Sequence, residues 1–192
     1  TGMYHPVPIG DLFDLYLRIR PGLKAAGTIY NASETNSQVL AAAAKSEAER
    51  RGLKWIEAAV TSSADVKTAA ESLVGRIDAF IITQDNTVAS AFEAVVGIAR
   101  ANGLPIFAMD VLSVERGAVA TLAIDQFESG VQWATELAVP VLLGTDPGTL
   151  TPVKPHAYDL HVNADAARAT RVTVPADILA RAKRVIGRPA ER

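Results

Sequence analysis

Cysteine is missing from this 192-residue chain, which excludes disulfides and thiolate metal sites and leaves the redox compartment open. A surplus of positive charge is missing too. With 19 basic against 21 acidic residues the formal charge is -2, and no basic stripe of the kind a nucleic-acid surface needs runs through the sequence. Long apolar runs are absent, because charges or proline break every hydrophobic stretch well short of the roughly 18–20 residues that a membrane span requires. The opening TGMYHP carries no basic-then-apolar signal pattern. The compact catalytic signatures GxSxG, GxxxxGK, GxGxxG and HExxH do not occur. His156 and His161 have no partners at a metal-ligand spacing, and neither a metal nor a cofactor is expected.

What is present is an apolar content of 49%, enough for a sizeable core in one domain, or one domain with an appendage. The pattern is a regular alternation. Residues 9–19 have helical apolar spacing and stop before Pro21-Gly22, and AAGTIY then reads as a buried strand. An Ala-rich helix over 34–51, a strand over 53–60, a helix from the caps at 61–63 to Val74 and a strand over 77–83 follow. A helix from 84 to about 101, a strand IFAM ending at Asp110, a short helix over 111–115 and a fifth strand AVATLAI continue the series. A helix from Asp125 to about Leu143 ends it. Strands separated by helices at this spacing predict an α/β fold, an open parallel sheet of about five strands with helices on both faces. After the Gly/Pro/Thr-rich stretch 144–152, AYDLHV reads as an edge strand and 163–187 as two short helices, a C-terminal strand/helix tail.

The stretch TIYNASETNS, residues 28–37, shows the strand-to-helix turn in detail. Ser33 stands at a helix-capping position and Glu34 puts a carboxylate in the first turn. In open parallel sheets ligands bind outside the carboxyl ends of the strands, and here those ends carry Asn31, Asp85, Asp110 and Asp125. Each singly reads as a helix cap. Asp85 and Asp110 crowd negative charge that calls for a cation, while the helix N-termini on the same rim call for an anion. A zwitterion such as an α-amino acid meets both demands. The competing enzymatic reading, carboxylates holding magnesium for phosphoryl transfer, finds only Arg116 near the strand ends to steady a phosphate. The chain therefore reads as non-enzymatic, with a metal-dependent α/β enzyme as the weaker alternative.

Five segments also carry a family resemblance: YNASETNS (30–37), VGRIDAFIITQDNTVASAFEAVV (74–96), LPIFAMD (104–110), GAVATLAIDQFESG (117–130) and LHVNADAARA (160–169). In order and spacing the sequence resembles the ABC-importer substrate-binding proteins of the tryptophan/aromatic amino-acid receptor-like family. Phe127 stands where that family more often has Tyr. The resemblance implies a type I periplasmic-binding-protein fold, in which two lobes close on a ligand, and a chain that supplies the C-terminal lobe. On that basis residues 1–20 are expected to cross over from an N-terminal lobe, 21–145 to form the ligand-binding lobe, and 146–192 to pack back toward the missing lobe. Exposed apolar surface at those ends would favour dimers of the isolated lobe.

Carried over position by position, the resemblance implies a ligand rim of Asn31, Ser33, Glu34 and Ser37, then Asp85 and Asn86, then Asp110. By charge, Glu34, Asp85 or Asp110 would take the ammonium, and Ser33 and Ser37 with nearby N–H groups the carboxylate. Tyr30, Phe107, Trp55 and Trp133 read as packing residues. The implied function is capture of a small amino-acid-like ligand, aromatic or branched, for delivery to an ABC permease. The implied location is periplasmic or extracytoplasmic, free or lipid-anchored. The rival is the ligand-sensing core of a transcription regulator, which shares this fold.

Overall fold

A computed structural model describes residues 1–188. Helix α1 (Ile9–Ile19) comes first, with Leu12, Phe13, Leu15, Tyr16 and Ile19 on its buried stripe and Asp11 and Asp14 outside it. Strand β1 (Ala25–Asn31), helix α2 (Thr35–Arg50), strand β2 (Lys54–Val60), helix α3 (Val66–Leu73) and strand β3 (Ala79–Ile82) follow. The next expected helix comes as two, α4 (Asn86–Ser90) and α5 (Phe92–Asn102), because Ala91 leaves helical geometry at φ -121° and ψ 23°. Strand β4 (Ile106–Ala108) and helix α6 (Val111–Arg116) complete the first layer of the chain.

Strands β2, β1, β3 and β4 form a parallel sheet in that order. Its two inner strands are apolar on both faces, as a parallel sheet covered by helices demands. On one side α1 and α2 bury Phe13, Tyr16, Ala44 and Ala48 against Ala26, Ala79, Ile81 and Phe107. On the other, Val66, Leu73, Phe92 and Val95 pack on Ile29, Phe80, Ile82 and Ile106. Close approach has a sequence cause at Gly27, where a Cβ would lie 2.9 Å from Ile77 Cγ2 and 3.3 Å from Leu73 Cδ1. Tyr16 joins the layers. Its ring stacks on Phe107 at 4.6 Å between centroids and its hydroxyl donates to the Ala108 carbonyl at 2.7 Å.

The fifth strand, β5 (Ala120–Ala123), changes sheets. Just before it, Val119 N–H donates to the Ile106 carbonyl at 2.6 Å, continuing the first sheet, and the Val119 carbonyl accepts from Asn163 N–H at 2.8 Å. From Ala120 onward its partner is antiparallel β6 (Asp159–Asn163), which pairs in parallel with β7 (Arg184–Ile186) to make a second, three-stranded sheet. Between β5 and β6 lies one long helical rod, α7 (Gln126–Trp133), a π-helical turn over Ala134–Ala138 and α8 (Val139–Leu142). Helices α9 (Ala164–Ala169) and α10 (Ala176–Arg181) separate β6 from β7.

The segment after residue 145 is thus largely built into the lobe. Strand β6, read from sequence as an edge, is central in its sheet, and Leu160, Val162, Ala167, Val174 and Ile178 share the core of α1 and α2. Helix α1 shares that core as well. The element that stands out from the body is the rod over 126–142. It exposes Phe127, Val131, Trp133, Val139 and Leu142, together with the adjoining Leu143, so Trp133 is not the packing residue its type suggests. Three segments connect the rod with the body. Residues 1–8 and 153–158 run alongside each other through a Met3–Val153 bridge, and Asp125 starts the rod itself. Among the described residues no helix is long and apolar enough to cross a membrane.

Candidate ligand-binding site

The parallel sheet delivers Asn31, Asp85 and Asp110 to one edge, beyond the ends of β1, β3 and β4. Asp85 is 5% exposed, and both carboxylate oxygens are engaged: Oδ2 accepts from Asn31 N–H at 2.6 Å and Oδ1 from Val88 N–H at 2.8 Å. It caps α4 and clamps the end of β1 to the end of β3 in one stroke. Asn31 is buried as well. Its Oδ1 accepts from Ser33 N–H at 2.8 Å and its Nδ2 donates to Thr87 Oγ1 at 2.8 Å, so the turn after β1 is folded by Asn31 rather than by Ser33.

Glu34 reaches across to the start of α4. Its carboxylate accepts from Thr87 Oγ1 at 2.8 Å and Asn86 Nδ2 at 3.0 Å, and these bonds, Thr87's foremost, hold its pKa below the ordinary carboxylate value. Ser33 and Asn86 lie exposed on this rim, and Glu34 is half-buried. Ser37 does not reach the rim. It is fully buried on the inner side of α2, its hydroxyl without a hydrogen-bond partner among the described residues. Asp110 caps α6, accepting from Ser113 N–H at 2.8 Å and Ser113 Oγ at 2.7 Å, and remains half-buried. Asp125 caps α7 through Phe127 and Glu128 N–H and is neutralised by Lys183 Nζ at 3.0 Å. The Glu128 amide first, then Lys183, lowers its pKa.

Two features define what this edge can do. Glu34, Asp85 and Asp110 form no ion pair with any Lys or Arg among the described residues, and Arg116, the nearest expected counter-ion, is held by Glu93 at 2.7 Å. The rim is therefore acidic and short of cations. Beside Asp110 lies a concavity of about 260 Å³, walled by Gln84, Met109, Val111 and Leu112 on the sheet side. Pro6, Val7, Pro8, Leu122, Ile124 and Tyr158 form the wall toward the connecting segments. It is slightly smaller than the ~300–1,000 Å³ of whole small-molecule pockets. Of the rim residues read from sequence only Asp110 borders it. Gln84, Thr87 and Tyr158 were missed, and Gln84 and Thr87, as neighbours of Asp85 at a strand end, were within reach of the same reasoning. Among the described residues no group of three or more His, Asp or Glu side chains is arranged to hold a metal.

A parallel α/β lobe with an acidic, part-apolar recess at its strand ends defines a ligand-binding domain. Residues 1–186 match the family described as ABC transporter substrate binding protein, and the chain belongs to that family. It is 32% identical over 169 residues to a tyrosine-binding protein of Clostridioides difficile (strain R20291), covering 88% of this chain and 49% of the relative. A conserved domain protein from Vibrio cholerae O1 biovar El Tor superposes with a TM-score of 0.85 at 35% identity, over 96% of this chain and 62% of that one. An ABC domain from Streptococcus pneumonia solved in complex with L-Trp gives 0.83 at 29% identity, over 97% and 64%. The chain thus spans about half the length of the curated relative and under two thirds of the solved ones.

Proposed function

We propose that this chain is the C-terminal lobe of a receptor that captures an amino acid, aromatic or branched, and presents it to an ABC permease outside the cytoplasm. The observation that carries the reading is the cation-poor acidic rim beside an apolar recess, which suits a ligand with one ammonium group and an apolar body. The relatives described as tyrosine-binding and as bound to L-Trp support it. In this reading Glu34, Asn86, Asp110 and Ser33 face the ligand. Asn31 and Asp85 keep the rim in shape, and Ser37 packs behind it.

Closure would bring a second lobe over the rim and desolvate the charged hydrogen bonds, which strengthens them. The exposed apolar face of the rod over 126–142 supports a large partner surface there, contributed by the remainder of the protein; in its absence the same face would drive dimers. A thermal-shift screen of the full-length protein against amino acids, small peptides, sugars and nucleosides tests the function, since a ligand that binds only the native state raises its Tm. Shifts with L-tryptophan, L-tyrosine or branched amino acids are expected. Shifts with sugars or nucleosides alone would refute it.

A further inference from the structure

We infer that Lys183 is a positioning residue, an electrostatic fastener that sets how the rod over 126–142 stands on the body. The inference comes from the chain's own contacts, and only its consequence for binding rests on the amino-acid reading above.

Lys183 stands on the body side, immediately before β7, where its N–H donates to the Leu160 carbonyl at 2.9 Å. Its Nζ reaches two carboxylates at once, Asp125 Oδ2 at 3.0 Å and Asp159 Oδ2 at 2.7 Å. These carboxylates belong to different segments. Asp125 starts the rod and keeps its other oxygen on the Phe127 and Glu128 N–H groups, while Asp159 opens β6, directly after the connecting segment 153–158. One ammonium therefore ties the foot of the rod to the strand that follows the second connection. The remaining connection, residues 1–8, joins through the Tyr158 hydroxyl, which donates to the Pro6 carbonyl at 2.6 Å. The two carboxylates, Asp159 foremost, hold the Lys183 pKa above the ordinary lysine value, so the ammonium stays charged at neutral pH.

No second cation is placed to substitute. A cavity of about 440 Å³ is walled by Asp125, Glu128 and Glu136 from the rod and Asp159 from the body, and Lys183 is the only Lys or Arg that lines it among the described residues. Arg184, next in sequence, is held by Glu115, and His156 pairs with Glu136 at 2.9 Å. Without Lys183 the like charges of rod and body face one another across that cavity, and the rod is pushed outward. A single exposed ion pair contributes little, but here its loss turns an attraction into a repulsion. In the receptor reading the rod carries the face assigned to the remainder of the protein, so its angle decides how a second lobe meets the rim.

Hydrogen exchange of the full-length protein at low and high salt tests this. At low salt Lys183→Met should speed exchange of the Phe127, Glu128 and His156 amides about three- to fivefold, the scale of an exposed ion pair, with the β1 and β3 amides unchanged. Salt should then act with opposite signs. Screening should speed exchange at those amides in wild type, where it weakens an attraction, and slow it in Lys183→Met, where it weakens a repulsion. Lys183→Arg should match wild type, and adding Asp159→Asn to Lys183→Met should recover part of the lost protection. Exchange unchanged in Lys183→Met, exchange sped equally in β1 and β3, or a double variant no slower than Lys183→Met overturns the inference. On the amino-acid reading, L-tryptophan affinity by calorimetric titration should fall in Lys183→Met and recover in the double variant. Wild-type protein that binds no amino acid overturns that reading, and the exchange result decides the inference by itself.

Discussion

Removing the Asp85 carboxylate should damage the fold before it damages any binding event. The side chain is 5% exposed and takes two main-chain N–H groups, from Asn31 at 2.6 Å and Val88 at 2.8 Å. Each is a charge-assisted bond worth roughly 1.5–3 kcal/mol, and an N–H left without a partner in a buried site costs roughly 1–3 kcal/mol. Asp85→Ala strands both donors, so the expected loss is about 3–5 kcal/mol, a large share of the ~5–15 kcal/mol that holds a domain together. Asp85→Asn keeps one acceptor oxygen. It can satisfy one donor while its NH2 group faces the other, and the expected loss is about 2–3 kcal/mol. Urea unfolding of the chain, followed by circular dichroism, measures both. If Asp85→Ala unfolds within about 1 kcal/mol of wild type, the carboxylate does not clamp β1 to β3 and the assignment of its role fails. Lost ligand binding in Asp85→Ala would therefore report on architecture, since both of its oxygens hold main-chain N–H groups.

Glu93 is held by Arg116 first and by its own helix N-terminus second, which lowers its pKa to about 2. A lowered folded-state pKa stabilises the fold above the unfolded carboxylate value, roughly pH 4.3, and the stabilisation is lost as pH falls toward about 2. Glu93→Gln should therefore lower Tm at pH 7 modestly, since solvent screens this exposed pair, and converge with wild type as pH falls toward about 2; a Tm difference that is the same at pH 7 and at low pH would contradict this. Gly27→Ala places a methyl 2.9 Å from Ile77 Cγ2, and such overpacking costs about 1–3 kcal/mol in chemical denaturation. Adding Ile77→Val, which keeps Cγ2 but removes the Cδ1 methyl that would lie 3.0 Å from the new Cβ, should recover part of that loss, and strict additivity of the two changes would argue against the contact.

Much of this architecture can be read in the chain because helix and strand periods differ and because the strand ends carry their own punctuation. Residues 9–19 and 25–30 could hardly form anything but an amphipathic helix and a buried strand, and they do. Partner choice is harder to read. AVATLAI is apolar enough for either sheet, and only the hydrogen bonds of Val119 show that it belongs to both. Strand β7 is three residues long, Arg184–Ile186, too short to show a period, and its pairing with β6 is entirely non-local.

The site divides in the same way. The positions of Asn31, Asp85 and Asp110 follow from chain direction, so the rim was visible. The distribution of their hydrogen bonds was not, because whether a carboxylate caps its own helix or faces outward depends on distances of a few tenths of an ångström. Ser37 illustrates the limit, since one helical step separates an outward hydroxyl from a buried one. The recess beside Asp110 draws on Pro6, Leu122 and Tyr158, distant in sequence, and no local motif could have assembled them.

The Tyr158–Pro6 tether, across 152 positions of sequence, also bears on the order of folding. Closing so long a loop carries an entropic cost that only a largely folded intervening chain can reduce. The connecting segments should therefore form last, after the parallel sheet and its helices, and open first under stress. In hydrogen exchange the amides of Tyr4 and Val153, which bond across those segments, should lose protection well before those of β1 and β3. Contacts that form last in the connecting segments can open and re-form without unfolding the sheet that holds the rim in place.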